Sequence, residues 1–371
     1  MSIFWKDKLK NNIHSIDALA SKNYINIDES DALSNIIERH PMNITEYYLN
    51  LIDNNNSKDP IKKMSIPSIM ELDKDGDYDT SGEESNTKMP GLQHKYKQTA
   101  LVLSTNKCYM YCRYCFRKRM VGYTNNEIMN TMNKSIDYIS KHKQINNVLI
   151  TGGDSLTLSN EIIKKYLDNL SCIEHLDFIR FGTRIPVVFP MRIYEDKELL
   201  ELFDSYNKKK KIIIVTQFNH PKELSKESLK AIDALRNINI DILNQTVLLK
   251  DINDDKNILS SLMRNLTTSG INPYYVFQCR PVKYVKNHFQ VPLTKGIDII
   301  NDTRSLLNGV SKRFRYVLSH PRGKIEILGV FDNKMLFKFH QSKNSEDENK
   351  IFTKPINNNH SWLDENLIPI T

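Results

Sequence analysis

The 371-residue sequence contains no run of about 18 apolar residues, and its opening stretch, MSIFWKDKLKNNIHS, lacks the apolar core of a secretory signal. Nothing in it points to membrane insertion or export, and a cytoplasmic protein is expected. Tracts of a single charge sign are missing too: 52 basic and 44 acidic residues leave a net charge of +8, but they are interleaved along the chain. Without a basic tail, no nucleic-acid partner is expected. No internal repeat of fixed period is present beyond an alternation of strand-like and helix-like segments. Cysteine is scarce, five in all, and where thiols stay reduced a cluster of them suggests metal ligation or catalysis sooner than disulfides.

Residues 1 to about 55 carry helix-like apolar spacing in SDALSNIIERH and ITEYYLNLID, broken by polar loops such as DNNNSKDP. From Lys58 to Gln93 the chain turns acidic and reads as a connector wrapped on a surface. Six β-branched runs follow, TALVLST, NVLITGG, FIRFGT, KIIIVTQFN, DILNQTVLL and YYVFQC, separated by amphipathic segments. That order predicts an α/β fold of parallel βα units. Such sheets place functional loops at the carboxyl ends of their strands, which is where Cys108, Gly152, Arg184, Asn219 and Arg280 fall. RFRYVLSHPRGKIEILGVF reads as a further extended region, and the polar tail after about Ser342 as loosely attached. The expected divisions are an N-terminal helical region and connector over 1–93, a core over 94–335 and a tail over 336–371.

Three of the five cysteines lie in NKCYMYCRYCFRKRM, where Cys108, Cys112 and Cys115 form CxxxCxxC. Three thiolates can hold three irons of a 4Fe-4S cluster and leave the fourth open. Zinc usually takes four protein ligands in a structural site, and the nearest histidine, His94, is fourteen residues upstream across a strand. A disulfide would leave one thiol over. Cys172 and Cys279 stand alone and are expected to be buried.

The cysteine loop directly after the first strand, with Tyr114 before its last cysteine, resembles that of the radical S-adenosylmethionine enzymes. In these the methionyl amine and carboxylate chelate the open iron. LITGGDSLTL resembles their glycine motif, with Gly152, Gly153 and Asp154 placed to meet the ligand's ammonium group. MPGLQHKY, CYMYCRYCFRKR, GTRIPVVFPMRI, TQFNHPKE and NQTVLLKDIND narrow the likeness, over about Pro41 to Val330, to the lysine 2,3-aminomutase family. The resemblance implies a partial (βα)6 barrel with an N-terminal helical extension, a 4Fe-4S cluster, S-adenosylmethionine and pyridoxal 5′-phosphate. It also implies an electron donor such as flavodoxin or ferredoxin, and a homo-oligomer. The reaction it implies is a radical-initiated shift of an amino group from C2 to C3 of an amino acid held on pyridoxal phosphate.

By the same resemblance Lys324, in SHPRGKIEIL, is the lysine that carries pyridoxal phosphate, a job that needs an unprotonated amine. Lys95 and Tyr96 match phosphate-anchoring positions, Thr99 stands where a second arginine is expected, and Lys97 is a candidate to compensate. Gln245, Asn219 and His220 match positions near the adenosyl group, although His220 before Pro221 also suits a plain turn. Arg117 matches the arginine that grips the substrate α-carboxylate, whereas Lys118 and Arg119 read as solvated or phosphate-facing.

The departure lies at the substrate's far end. Lysine-specific members use two aspartates there, and these positions fall at Arg280 and at or near Ser319. The inverted charge favours a glutamate-like or neutral substrate over free lysine, unless Arg280 is cancelled by an ion pair with Glu326 or Asp154. A radical enzyme without pyridoxal phosphate, or one acting on a protein-borne lysine, is the alternative. Asp73, Asp75, Asp77 and Glu84 imitate a calcium loop, but Tyr78 occupies the position that needs glycine, so no calcium site is expected.

Overall fold

The computed structural model describes residues 4–123 and 132–371. The six β-branched runs all form strands, and the amphipathic segments between them form helices over Met132–Lys141, Asn160–Leu170, Lys197–Asn207, Lys226–Asn237 and Lys256–Thr268. Helix starts are set locally: the side chains of Ser159, Asp196, Ser225 and Asp255 each accept from a backbone N–H of the first turn. In Asn160–Leu170 the apolar residues Ile163, Tyr166, Leu167 and Leu170 fall on one face and are buried.

The strands are β1 (Thr87–Met89), β2 (Leu92–Tyr96), β3 (Thr99–Thr105), β4 (Asn147–Gly152), β5 (Phe178–Gly182), β6 (Lys211–Thr216), β7 (Asp241–Leu248), β8 (Asn272–Gln278), β9 (Arg315–His320), β10 (Gly323–Phe331), β11 (Lys334–Ser342) and β12 (Ile351–Lys354), joined in that order into one sheet. β3 to β9 run parallel, so the parallel set has seven members rather than the expected six, β9 pairing with β8 through Tyr275, Val276 and Phe277. Antiparallel β1–β2 flank one side and β10–β12 the other.

No pairing among the described residues closes this sheet, but it curls. Laid flat, β2 and β9 would stand roughly 34 Å apart at about 4.8 Å per strand. Instead Lys95 on β2 donates to the carbonyl of His320 on β9, and Lys324 on β10 lies over the ring of Tyr96 at 5.8 Å. Alternation along each strand then sends one set of side chains to the helices and the other into the enclosed space: in β7, Ile242, Asn244, Thr246 and Leu248 are buried while Gln245 and Val247 line a cavity.

Two expectations are corrected. The 58–93 segment is more than a surface wrapping, because its Glu71 and Glu83 are buried against the cysteine loop while residues such as Met70, Leu72 and Tyr78 stay exposed. The tail is not loose either: β12 extends the sheet, and β13 (Trp362–Leu363) pairs with β14 (Pro369–Ile370). Trp362, Leu363 and Leu367 are buried, and Asp347 takes a bidentate contact from Arg322 (2.9 and 2.6 Å). The calcium-like loop pairs with the chain after β8 through Asp77 and Val282, while Asp73 and Asp75 accept from Asn287 and Lys286. Among the described residues no helix is long and apolar enough to cross a membrane. Truncating Trp362 to alanine is expected to lower stability by about 3–5 kcal/mol in urea unfolding; an unchanged midpoint would mean that the tail contributes nothing to the fold.

Candidate active site

The loop after β3 carries the three thiols, and the N-terminal region holds it in place. Asn43 Nδ2 donates to the Cys108 carbonyl (2.9 Å), and the N–H groups of Tyr111 and Arg113 donate to the carbonyls of Asn43 and Met64 (3.0 Å each). Arg113 and Lys118 both reach Glu71, whose side chain is fully buried. Burial alone would raise this carboxyl, but the Arg113 and Lys118 charges bring it down to about 2. Arg117 (2.8 Å) and Arg119 (3.2 Å) pair in the same way with buried Glu83. The sequence had suggested that Lys118 and Arg119 are solvated or phosphate-facing; instead they pair with the buried carboxylates of Glu71 and Glu83.

The glycines after β4 are explained by this loop. A Cβ on Gly152, at φ +127°, would stand 2.2 Å from the Thr105 carbonyl oxygen, and one on Gly153 would stand 2.3 Å from that of Lys107. Only glycine lets the end of β4 come this close to the start of the cysteine loop. Asp154 caps the following turn: it accepts from Thr183 Oγ1 (2.5 Å), Arg184 N (2.6 Å) and Leu156 N (3.1 Å), and burial raises its pKa. It thereby orients Arg184, whose Nη1 donates to Cys112 Sγ (2.8 Å) and whose Nη2 meets Glu223 and Tyr48.

One cavity of about 370 Å³ collects most of the residues flagged in the sequence: the three cysteines, Tyr114, Gly152, Gly153, Asp154, Arg117, Gln245, Lys95, Tyr96, Arg280, Ser319 and Lys324. Asn219 and His220 lie outside it. Asn219 is fully buried and donates to the Tyr114 hydroxyl (2.6 Å), while His220 Nδ1 accepts from Lys222 N (3.1 Å) as a helix cap. Lys97 is exposed and outside as well, and Cys172 is exposed at the end of a helix instead of buried. Cys279 is buried.

At the far end of the cavity, Lys324 follows the two-residue turn Pro321–Arg322 and pairs across the hairpin with Ser319. Its Nζ lies over the rings of Tyr275 (4.3 Å), Phe277 (5.7 Å) and Tyr96 (5.8 Å). Burial, with Arg180 and Arg280 nearby, lowers its pKa to about 7. Arg280 Nη2 donates to Ser319 Oγ (2.7 Å), so the two positions of inverted character touch, and its Cζ stacks over Phe116 at 4.0 Å. Its Nη1 is buried without a hydrogen-bond partner. The suggested ion pairs do not form: Glu326 binds Arg315 (2.6 Å) and Asp154 is committed to its turn. Burial lowers the Arg280 pKa to about 10, against the pull of Glu83 and with the push of Arg117.

The chemistry of these groups fits the cofactors. Three thiols at one end suit a cluster, and no three ligands converge on a single-ion position among the described residues. A partly neutral amine walled by aromatic rings at the other end suits pyridoxal phosphate. Sequence reasoning missed Glu71, Glu83 and Arg180, because nothing in an acidic connector or a strand interior marks which side chain will reach a loop tens of residues away.

A family model for the Radical SAM superfamily matches residues 102–261, from β3 into the helix after β7. A curled parallel sheet with a three-cysteine loop beyond its first parallel strand thus defines a radical S-adenosylmethionine enzyme. Relatives narrow this further. The chain is 39% identical over 91% of its length to an Aquifex aeolicus protein provisionally named L-lysine 2,3-aminomutase, 91% of which is covered. It is 33% identical, over 95% of its length, to 84% of the L-lysine 2,3-aminomutase of Clostridium subterminale. Against the glutamate 2,3-aminomutase of Clostridioides difficile it is 35% identical, covering 86% of this chain and 74% of that one. The chain belongs to the lysine 2,3-aminomutase family, whose members are isomerases that use a 4Fe-4S cluster, S-adenosylmethionine and pyridoxal phosphate.

Replacing Glu71 with glutamine leaves Arg113 and Lys118 buried beside a neutral amide. A loss of about 3–5 kcal/mol in urea unfolding is expected, with lower iron retention after anaerobic reconstitution. Because folding lowers the Glu71 pKa from 4.5 to about 2, its contribution is present above pH 4.5 and lost as the pH falls through 2. The variant should therefore show a shallower acid limb than the wild type, and equal limbs would refute the assignment.

Proposed function

We propose that this protein is a 2,3-aminomutase for an amino acid with an anionic side chain, of which glutamate is the simplest example. The observation that carries the proposal is Arg280, a half-buried guanidinium whose Nη1 is buried and unsatisfied, with no carboxylate bonded to it among the described residues, held by Ser319 beside Lys324. At roughly 4 Å and an effective dielectric near 20, such a cation would repel a substrate ammonium by about 4 kcal/mol and attract a carboxylate by as much. The cavity as a whole leans the same way: Lys95, Arg117, Arg180, Arg184, Arg280 and Lys324 line it, against the carboxylates of Glu83 and Asp154. Comparable identity to lysine and glutamate enzymes leaves the choice to these residues.

In this reading Cys108, Cys112 and Cys115 hold the cluster, with Arg184 donating to Cys112. Tyr114, Gly152, Gly153, Asp154 and Gln245 border the S-adenosylmethionine position, Lys324 carries pyridoxal phosphate with Tyr96 beside it, and Arg117, held by Glu83, meets the substrate α-carboxylate. When bound, the three cofactors supply a hydrogen-abstracting radical and a π system that carries the migrating amino group. The protein's part is to hold the substrate between two arginines, keep the Lys324 amine available and exclude water with the rings of Tyr96, Tyr275 and Phe277. The burial of Lys324 favours this reading over one without pyridoxal phosphate. The curled strands are read as a partial (βα)6 barrel within a 94–335 core, preceded by the 1–93 region and followed by the 336–371 tail. A cytoplasmic location, a reductant such as flavodoxin or ferredoxin and a homo-oligomer complete the proposal.

The test is anaerobic reconstitution to four irons per chain, reduction, and incubation with glutamate and with lysine. Glutamate is expected to give its β-amino isomer, and Arg280→Gln to lower kcat/KM for it roughly 10- to 100-fold. Preferential turnover of lysine would sink the substrate assignment. Since Lys324 loses its proton near pH 7, its capture of pyridoxal phosphate, fixed with borohydride and read by mass, should be nearly complete by pH 8. An increase continuing to pH 10 would mark an ordinary surface lysine.

A further inference from the structure

Thr99 leaves the phosphate end of the cavity short of an arginine, and neither lysine noted in the sequence makes up for it. Lys97 is exposed and outside the cavity. Lys95 lines it, but its Nζ donates to the carbonyls of Ser81 (3.3 Å) and His320, and burial with the nearby Arg280 and Lys324 lowers its pKa to about 7. Its charge is therefore disfavoured, and two of its three donors are in use. The charge comes instead from β5, at a residue to which the sequence reading gave no role.

Alternation along β5 turns Ile179 and Phe181 toward the helices and Arg180 and Gly182 into the cavity. Arg180 stands beside Thr99 through one shared neighbour: its Nη2 donates to Asn147 Oδ1, and Asn147 Nδ2 donates to Thr99 Oγ1 (3.2 Å). Its Nε is buried without a hydrogen-bond partner, and no salt bridge to it is found among the described residues. It is also close enough to Lys324 to lower that amine's pKa. A half-buried guanidinium with a buried, unpartnered N–H and no counter-ion among the described residues is costly unless a ligand brings the missing anion.

We propose that Arg180 is the principal anchor for the phosphate monoester of pyridoxal phosphate in this protein, with Asn147 and Thr99 fixing its orientation and Arg280 left for the substrate. This rests on the reading that Lys324 captures pyridoxal phosphate. A planar guanidinium meets a dianionic phosphate with two parallel N–H donors, so its effect should vanish for a ligand that lacks the phosphate.

The test titrates the full cofactor-depleted chain, with its cluster reconstituted, against pyridoxal phosphate and against pyridoxal, reading bound ligand by absorbance and borohydride-fixed mass on Lys324. Arg180→Gln is expected to weaken pyridoxal phosphate roughly 10- to 100-fold and pyridoxal less than about 3-fold, with Arg180→Lys recovering part of the loss. Equal losses for the two ligands, or no loss for the phosphate ester, would overturn the proposal. Should Arg180→Gln not fold, phenylglyoxal labelling of the wild-type chain decides: pyridoxal phosphate should protect Arg180 and pyridoxal should not, and equal labelling overturns the assignment. A wild-type chain that captures neither ligand would instead refute the reading of Lys324.

Discussion

Lys324, Arg180 and Arg280 share a cavity whose two carboxylates, Glu83 and Asp154, are already bound to Arg117 and to the turn before Arg184. Desolvation and mutual repulsion among the three cations act on whichever can shed a proton, and only the lysine can do so near neutral pH. The arginines must keep their charge and accept anions. One electrostatic imbalance therefore prepares a nucleophilic amine and two anion-binding forks in the same space.

The imbalance is tolerable because the rest of the fold is pinned around it. Glu71 and Glu83, both from the segment preceding the cysteine loop, each pair with two of the basic residues in and just after that loop. Arg184 ties Cys112 to Glu223 and Tyr48, joining the cysteine loop to the strand ends. On the opposite side, Arg322 clamps the Lys324 hairpin to Asp347, and His320 Nε2 contacts the Asp364 carbonyl (2.9 Å). The N-terminal region thus supports the metal end and the tail supports the lysine end. Each buried ion pair here costs desolvation, and its return is a fixed geometry more than net stability.

Much of the site was readable in advance. CxxxCxxC is a local pattern whose chemistry follows from spacing, whereas the double glycine after the second run and Lys324 stood out through resemblance to the family. The reasons were less readable. Gly152 and Gly153 are required by contact with Thr105 and Lys107, and Asp154 serves a cap. His220 looks the same in sequence whether it caps a helix or faces a ligand. Cys172 was misjudged because a thiol at a helix end is exposed by where the helix stops, not by its own polarity.

Local order and composition thus determined the strand and helix alternation and the three-cysteine loop, since each depends on neighbours a few positions apart, while resemblance to the family marked Lys324 and the altered charge at Arg280 and Ser319. Only the tertiary structure decided which charges stay unpaired. Glu71 meets Arg113 from 42 residues away, and Arg180 reaches Thr99 through Asn147 across two strand registers. Pairing energies in a low-dielectric interior depend on separations in space, and the curl of the sheet sets these through contacts between segments far apart in the chain.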